Sequence, residues 1–111
     1  MPYEFGDVVI VRFPFTSQKG YKQRPAVVVS NRAYNQGRPD VIVMAITSQL
    51  DEASGLGWLP LADWQTANLL RPSAVKPLFA TVEQELLARP LGKLQPADVA
   101  ALRETIAQVL S

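Results

Sequence analysis

Three residue types that can hold a phosphate stand at positions a folded sheet would bring together. Arg24 is the last charge of "KGYKQR" before the apolar run "PAVVV". Thr47 and Ser48 close a second apolar run, "VIVMAITS". If the two runs are antiparallel neighbours joined through residues 31–40, the start of one lies beside the end of the other. A guanidinium fork next to hydroxyl donors suits a phosphate oxygen, because the fork binds two oxygens at once and stays charged. The part of 73–76 left exposed would bring Lys76 to the same edge. Each residue also has an ordinary alternative. An arginine at a strand start is commonly a solvated surface group, hydroxyls at a strand end commonly cap a turn, and loop lysines keep a loop wet.

The rest of the composition removes other chemistries. The chain has 111 residues with no histidine and no cysteine. That excludes Ser–His and Cys–His catalysis, imidazole acid–base work and nearly all zinc sites. A metal nuclease would need clustered carboxylates, and Asp7, Asp40, Asp51, Glu52, Asp63, Glu83 and Glu85 are scattered. No metal and no cofactor is expected. Absence of cysteine fits a reducing cytoplasm, and no signal-like or membrane-length apolar run is present. Net charge is +1 overall. Residues 1–38 carry six cations against two acids (+4), and residues 39–111 carry five against eight (−3). A basic front half suits an anionic partner such as nucleic acid, or is uneven by chance.

Positioning such groups takes rigid elements. "VVIVRF" (8–13), "AVVVS" (26–30) and "VIVMAIT" (41–47) are β-branched and apolar on both faces, which predicts strands covered on both sides. Residues 15–23, 31–40 and 48–57 read as loops, and "WLPL" (58–61) as a short extended piece. Residues 62–70 suit one or two helical turns, with Asn68 in the left-handed position that ends them. Pro72 and Pro77 make 71–79 an edge or short strand. Thr81 and Gln84 have capping-box spacing, predicting a short helix over "VEQELLA", after which "PLGKL" turns the chain. Pro96 opens a helix of roughly 14 residues, with Val99, Leu102, Ile106, Val109 and Leu110 on its apolar stripe. The expected fold is mainly β, a barrel-like antiparallel sheet with short helices and a C-terminal helix, in one domain over 1–111.

At these residues the sequence resembles the MazF/PemK family of toxin endoribonucleases. The segments are "GDVVIVRFPFT" (6–16), "KQRPAVVVSN" (22–31), "DVIVMAITSQ" (40–49), "LADWQTANLLRPSAVK" (61–76) and "LGKL" (91–94). Together, in this order, they cover nearly the whole chain, and the DWQ…LLRPS stretch points to the PemK-like branch. The resemblance implies an SH3-like, strongly curved antiparallel barrel and a two-fold homodimer. It implies metal-independent cleavage of single-stranded RNA and a cognate antitoxin that occupies the RNA groove. It assigns Arg24 and Thr47 as catalytic, with Ser48 beside them and Lys76 at the family's basic position. Gln49, Lys22, Lys19 and Phe15 are also expected to bind substrate, although loop 16–23 aligns only loosely with the family and Phe15 has packing as its ordinary alternative. Lys76 stands where the family usually has arginine, and Pro77-Leu78 where some relatives carry an aspartate, so a mechanism with that aspartate as base does not transfer. Two other functions remain open on this fold: a non-enzymatic toxin that inhibits DNA gyrase, and a non-catalytic RNA- or protein-binding module.

Overall fold

Strand propensity dominates the front of the chain, and the computed structural model, which describes residues 3–13, 22–52 and 54–110, builds one six-stranded sheet from it. The strands are β1 (Asp7–Phe13), β2 (Lys22–Val28), β3 (Asp40–Thr47), β4 (Leu59–Pro60), β5 (Ala74–Glu83) and β6 (Leu87–Lys93). Their order is β4-β5-β3-β2-β1-β6, and every pairing is antiparallel. Helix α1 (Arg32–Asn35) interrupts the β2–β3 connection, and helix α2 (Pro96–Leu110) ends the described chain.

The strands are apolar on both faces because both faces are covered. Val8, Val27, Met44, Ile46 and Val75 pack beneath α2 and the segment 61–69, together with Leu61, Ala67, Leu69 and Leu102. On the other face Val9, Val11, Ala26, Val28, Val41, Val43, Val82 and Leu87 form a second cluster. Those side chains come from five strands, β1, β2, β3, β5 and β6, so the sheet curls strongly around them. Each buried valine contributes roughly 1.5–3 kcal/mol.

Segment 61–73 straps α2 to the sheet. Its turns end in a Schellman arrangement: the Leu69 N–H donates to Trp64 O at 3.1 Å and the Asn68 N–H to Gln65 O at 3.0 Å. Asn68 sits there at φ 65°, the left-handed conformation expected of it. Its side-chain amide donates to Leu91 O at 2.7 Å, tying the strap to β6. Gly92 makes that approach feasible, since a Cβ there would lie 2.6 Å from Ala67 O. At the other end of the strap the buried Asp98 carboxylate accepts the N–H groups of Ala62 (3.0 Å) and Asp63 (2.8 Å).

The fold departs from the expected elements at several places. Strand β2 spans 22–28 rather than 26–30; residues 22–25 pair with β1 alone, and such a free edge tolerates Pro25. Residues 31–40 include α1, capped by the Asn31 side chain, which accepts the Tyr34 N–H. No α-helix forms over "VEQELLA". Thr81 and Val82 pair with Ile42 and Val41 of β3 instead, and the Gln84 side chain donates to Arg38 O at 3.0 Å rather than capping anything. Only a 3-10 turn, Gln84–Leu86, intervenes before β6. "PLGKL" lies in and just after β6, not in a turn, because the outer edge strand accommodates Pro90. Strand β5 is ten residues long and takes Pro77 in a bulge. Helix α2 has the expected length, but Val109 and Leu110 at its end are exposed.

Candidate functional site

The β2–β3 ladder stops at Ala26–Ala45. Continuing its register would set Arg24 across from Thr47, yet the two strands part before reaching them. The ends diverge because β2 turns to follow β1, which it pairs through Lys22 opposite Phe13, while β3 stays with β5, pairing through Thr47 opposite Ala74. A groove of about 810 Å³ opens at that fork. Arg24, Thr47, Ser48, Gln49 and Lys76 all line it. The expected convergence of strand start, strand end and the 73–76 segment is therefore present in the folded chain.

Each side chain has a local reason for its place. Arg24 is exposed at the groove mouth, on backbone held by β1 and by Pro25. Thr47 is half-buried; its hydroxyl oxygen accepts the Gln49 N–H at 3.1 Å, leaving its own proton to donate. The turn-capping alternative and the phosphate-donor role are thus compatible. Ser48 and Gln49 are exposed just beyond. Lys76 reaches the groove through the bulge in β5. Between the pairs Met44–Phe79 and Ile46–Val75, β3 has one residue and β5 has three, Lys76, Pro77 and Leu78. Such a bulge re-aims side chains. Gly57 backs it closely, and a Cβ there would lie 2.9 Å from Pro77 Cβ. Leu78, 55% exposed, also lines the groove.

Lys22 begins β2, next to the fork. Phe15 and Lys19 lie outside the described residues. Three polar lining residues lie outside the expected site: Arg71 on the strap, Arg89 on β6, and Asn68, whose sequence signal is that of a turn residue. Strand β6 covers residues whose sequence suggests the end of a helix and a turn, which hides Arg89, while Asn68 and Arg71 sit on a strap whose path the sequence does not set.

The groove's electrostatics are one-sided. Arg24, Arg71, Lys76 and Arg89 line it, and none of its described lining residues is an acid. Among the described residues, ion pairs within 4.0 Å join Arg38 to Asp40 and Lys93 to Asp7 and Glu4, all away from the groove. The Asp7 partner raises the Lys93 pKa above the ordinary lysine value. The groove cations have no such carboxylate neighbour among the described residues. Such a surface attracts an anion, and Ile10, Ala45, Ile46 and Leu91 give the groove an apolar floor. Among the described residues no group of three or more carboxylates gathers as a metal site would require.

Residues 4–110 match the family model of the PemK-like, MazF-like toxins of type II toxin–antitoxin systems. No curated protein matches the sequence. Among solved structures, the chain is similar to an endoribonuclease from Mycobacterial species, at 19% identity and TM-score 0.77, covering 99% of this chain and 92% of the other. It is similar to the MazE–MazF complex of Deinococcus radiodurans, at 20% identity and TM-score 0.76, covering 99% and 97%. It also resembles the Mycobacterium tuberculosis toxin MazF-mt6, at 22% identity and TM-score 0.74, covering 91% and 92%.

Proposed function

This chain belongs to the PemK-like, MazF-like toxins of type II toxin–antitoxin systems, and from that premise we propose that it is a sequence-specific endoribonuclease cutting single-stranded RNA without a metal ion. The observation that carries the reading is the groove at the β2–β3 fork, where Arg24, Thr47, Ser48 and Lys76 meet with no acid among the described lining residues. The similar Mycobacterial and Deinococcus proteins, one named as an endoribonuclease and one as a MazE–MazF complex, support it.

RNA carries its own nucleophile. The 2′-oxygen attacks the adjacent phosphorus, the bond from phosphorus to the 5′-oxygen breaks, and the products end in a 2′,3′-cyclic phosphate and a 5′-hydroxyl. The proton lost from the 2′-hydroxyl is balanced by the one gained on the leaving oxygen. Arg24 stabilises the extra negative charge of the pentavalent phosphorus, and its backbone is already fixed, so little reorganisation is needed. Thr47 donates its hydroxyl proton to a phosphate oxygen and, with Ser48, orients the phosphate for in-line attack. Lys76, aimed by the bulge, stands as the candidate donor to the leaving oxygen. Neither a histidine nor a described groove carboxylate is available as base. Alignment and charge stabilisation are therefore the main sources of rate.

A cognate antitoxin is the expected protein partner, competing with RNA for the same groove; a similar Mycobacterial endoribonuclease is solved in complex with its cognate antitoxin. The active form is a homodimer. Its apolar contact surface would draw on exposed leucines such as Leu56 and Leu110, which are 68% and 65% exposed. No described helix is long and apolar enough to cross a membrane, and the cytoplasm, where mRNA is found, is the place of action.

The test is incubation of a long single-stranded RNA in EDTA with the wild type, Arg24→Ala and Thr47→Ala, with mapping of the new ends. Discrete cuts at a repeated short motif, bearing cyclic phosphates and lost in both variants, are expected. Gyrase inhibition with intact RNA, or RNA binding without cleavage, would replace this reading by one of the two alternatives.

A further inference from the structure

Five of the chain's 11 cations immediately precede a proline: Arg24, Arg38, Arg71, Lys76 and Arg89. Arg38 is bound to Asp40 at 2.9 Å and stacks on Tyr34. The other four are the cations that line the groove. A residue before proline is confined to extended backbone, so each of the four leaves the chain from a pre-set direction. Backbone held this way needs no further ordering when an anion binds, which leaves the side-chain rotamers as the ordering cost.

Their spacing divides them. Ile10 of β1 pairs with Pro25 on one side and Arg89 on the other. Arg89 thus stands nearly level with Arg24 but two strand spacings away, roughly 10 Å between backbones. Two arginines could span that distance, but Arg24 lies opposite Val11 and Arg89 opposite Ile10, so their side chains leave opposite faces of the sheet. Arg71 approaches from the strap, which Asn68 ties to β6 through Leu91 O. Its carbonyl accepts the buried Ser73 hydroxyl at 2.8 Å, which fixes the backbone that carries it.

We infer that Arg71 and Arg89 form a second phosphate subsite, across the groove from the Arg24–Thr47 centre, so that the groove grips at least two phosphates of one RNA strand. This rests on the ribonuclease reading and extends it: the substrate is recognised as a polyanion with splayed bases over the apolar floor, not as a single phosphodiester. Arg71 and Arg89 are positioning residues. They hold the strand so that the scissile phosphate falls at Arg24.

The test measures binding and cleavage separately. Binding uses a mixed-sequence 2′-O-methyl RNA of about 10 nucleotides, which lacks the nucleophile, titrated by fluorescence anisotropy over a range of salt. Arg71→Ala and Arg89→Ala are each expected to weaken binding about tenfold and to reduce the log–log salt slope by about 0.7, one phosphate contact on a single strand. Arg89→Lys should keep the slope. On cleavable RNA both alanine variants should lose kcat/KM through KM, whereas Arg24→Ala loses it through kcat. Thermal melts should be unchanged, since both arginines are exposed. If the wild type cuts RNA and the two variants keep wild-type slope and KM, the second subsite is wrong and the ribonuclease reading stands. If the wild type neither binds nor cuts RNA, both fail together.

Discussion

Arg24 shows how a single side chain is made useful by its backbone. It sits where β2 leaves β3, and proline and the β1 ladder fix its direction. Replacing it by lysine would retain a charge but remove the planar fork. We expect Arg24→Lys to lose at least about 1.4 kcal/mol of transition-state stabilisation, a tenfold loss in kcat, measured by single-turnover cleavage of a labelled RNA. Leu78 offers a contrasting case. An aspartate there would put the first carboxylate among the described lining residues, beside Lys76. Leu78→Asp is expected to weaken RNA binding and flatten its salt dependence, and titration with uncleavable RNA checks this.

At the level of elements, the strap decides the shape of the groove. It has little regular structure of its own and is held by side chains: Asp98 at one end, Asn68 at the other. Asp98→Ala would leave two N–H groups without their charged acceptor, and about 2–3 kcal/mol of stability should be lost in urea unfolding. Asn68→Gly keeps the left-handed backbone but loses the bond to Leu91 O, and should cost about 1 kcal/mol. Asn68→Ala adds the left-handed strain and should cost more. The bulge in β5 does similar work for Lys76, and it exists because Pro77 cannot continue a regular ladder.

The whole molecule is a curved sheet with a core on each face. Helix α2 completes one of them through Leu102, which is fully buried. Leu102→Ala should cost about 2–5 kcal/mol, read from the midpoint of chemical unfolding. The lopsided charge along the sequence is not what makes the groove basic. Arg38 is neutralised by Asp40, while Arg71, Lys76 and Arg89 from the acidic part of the chain join Arg24. The basic feature is a groove built from both halves of the chain.

The sequence by itself determined the local rules: β-branched runs for β1 and β3, the left-handed Asn68, Pro96 opening α2, and the motif residues Arg24, Thr47, Ser48 and Lys76. It also carried the cation–proline pairs, whose meaning needs no folded partner, because proline acts on the residue beside it. Tertiary structure decided what depends on distant chain. Thr81 and Gln84 have helix-capping spacing, but pairing with β3 offers ladder bonds and burial that a short helix cannot match. β6 is hidden in the sequence because Pro90 and Gly92 interrupt its strand signal, and only the fold shows its irregular register against β1. Arg71 and Arg89 entered the groove only when the strap and β6 were laid beside the fork. Sequence spacing fixes what neighbours in the chain can do, whereas a groove is set by which strands part and what lies across the gap.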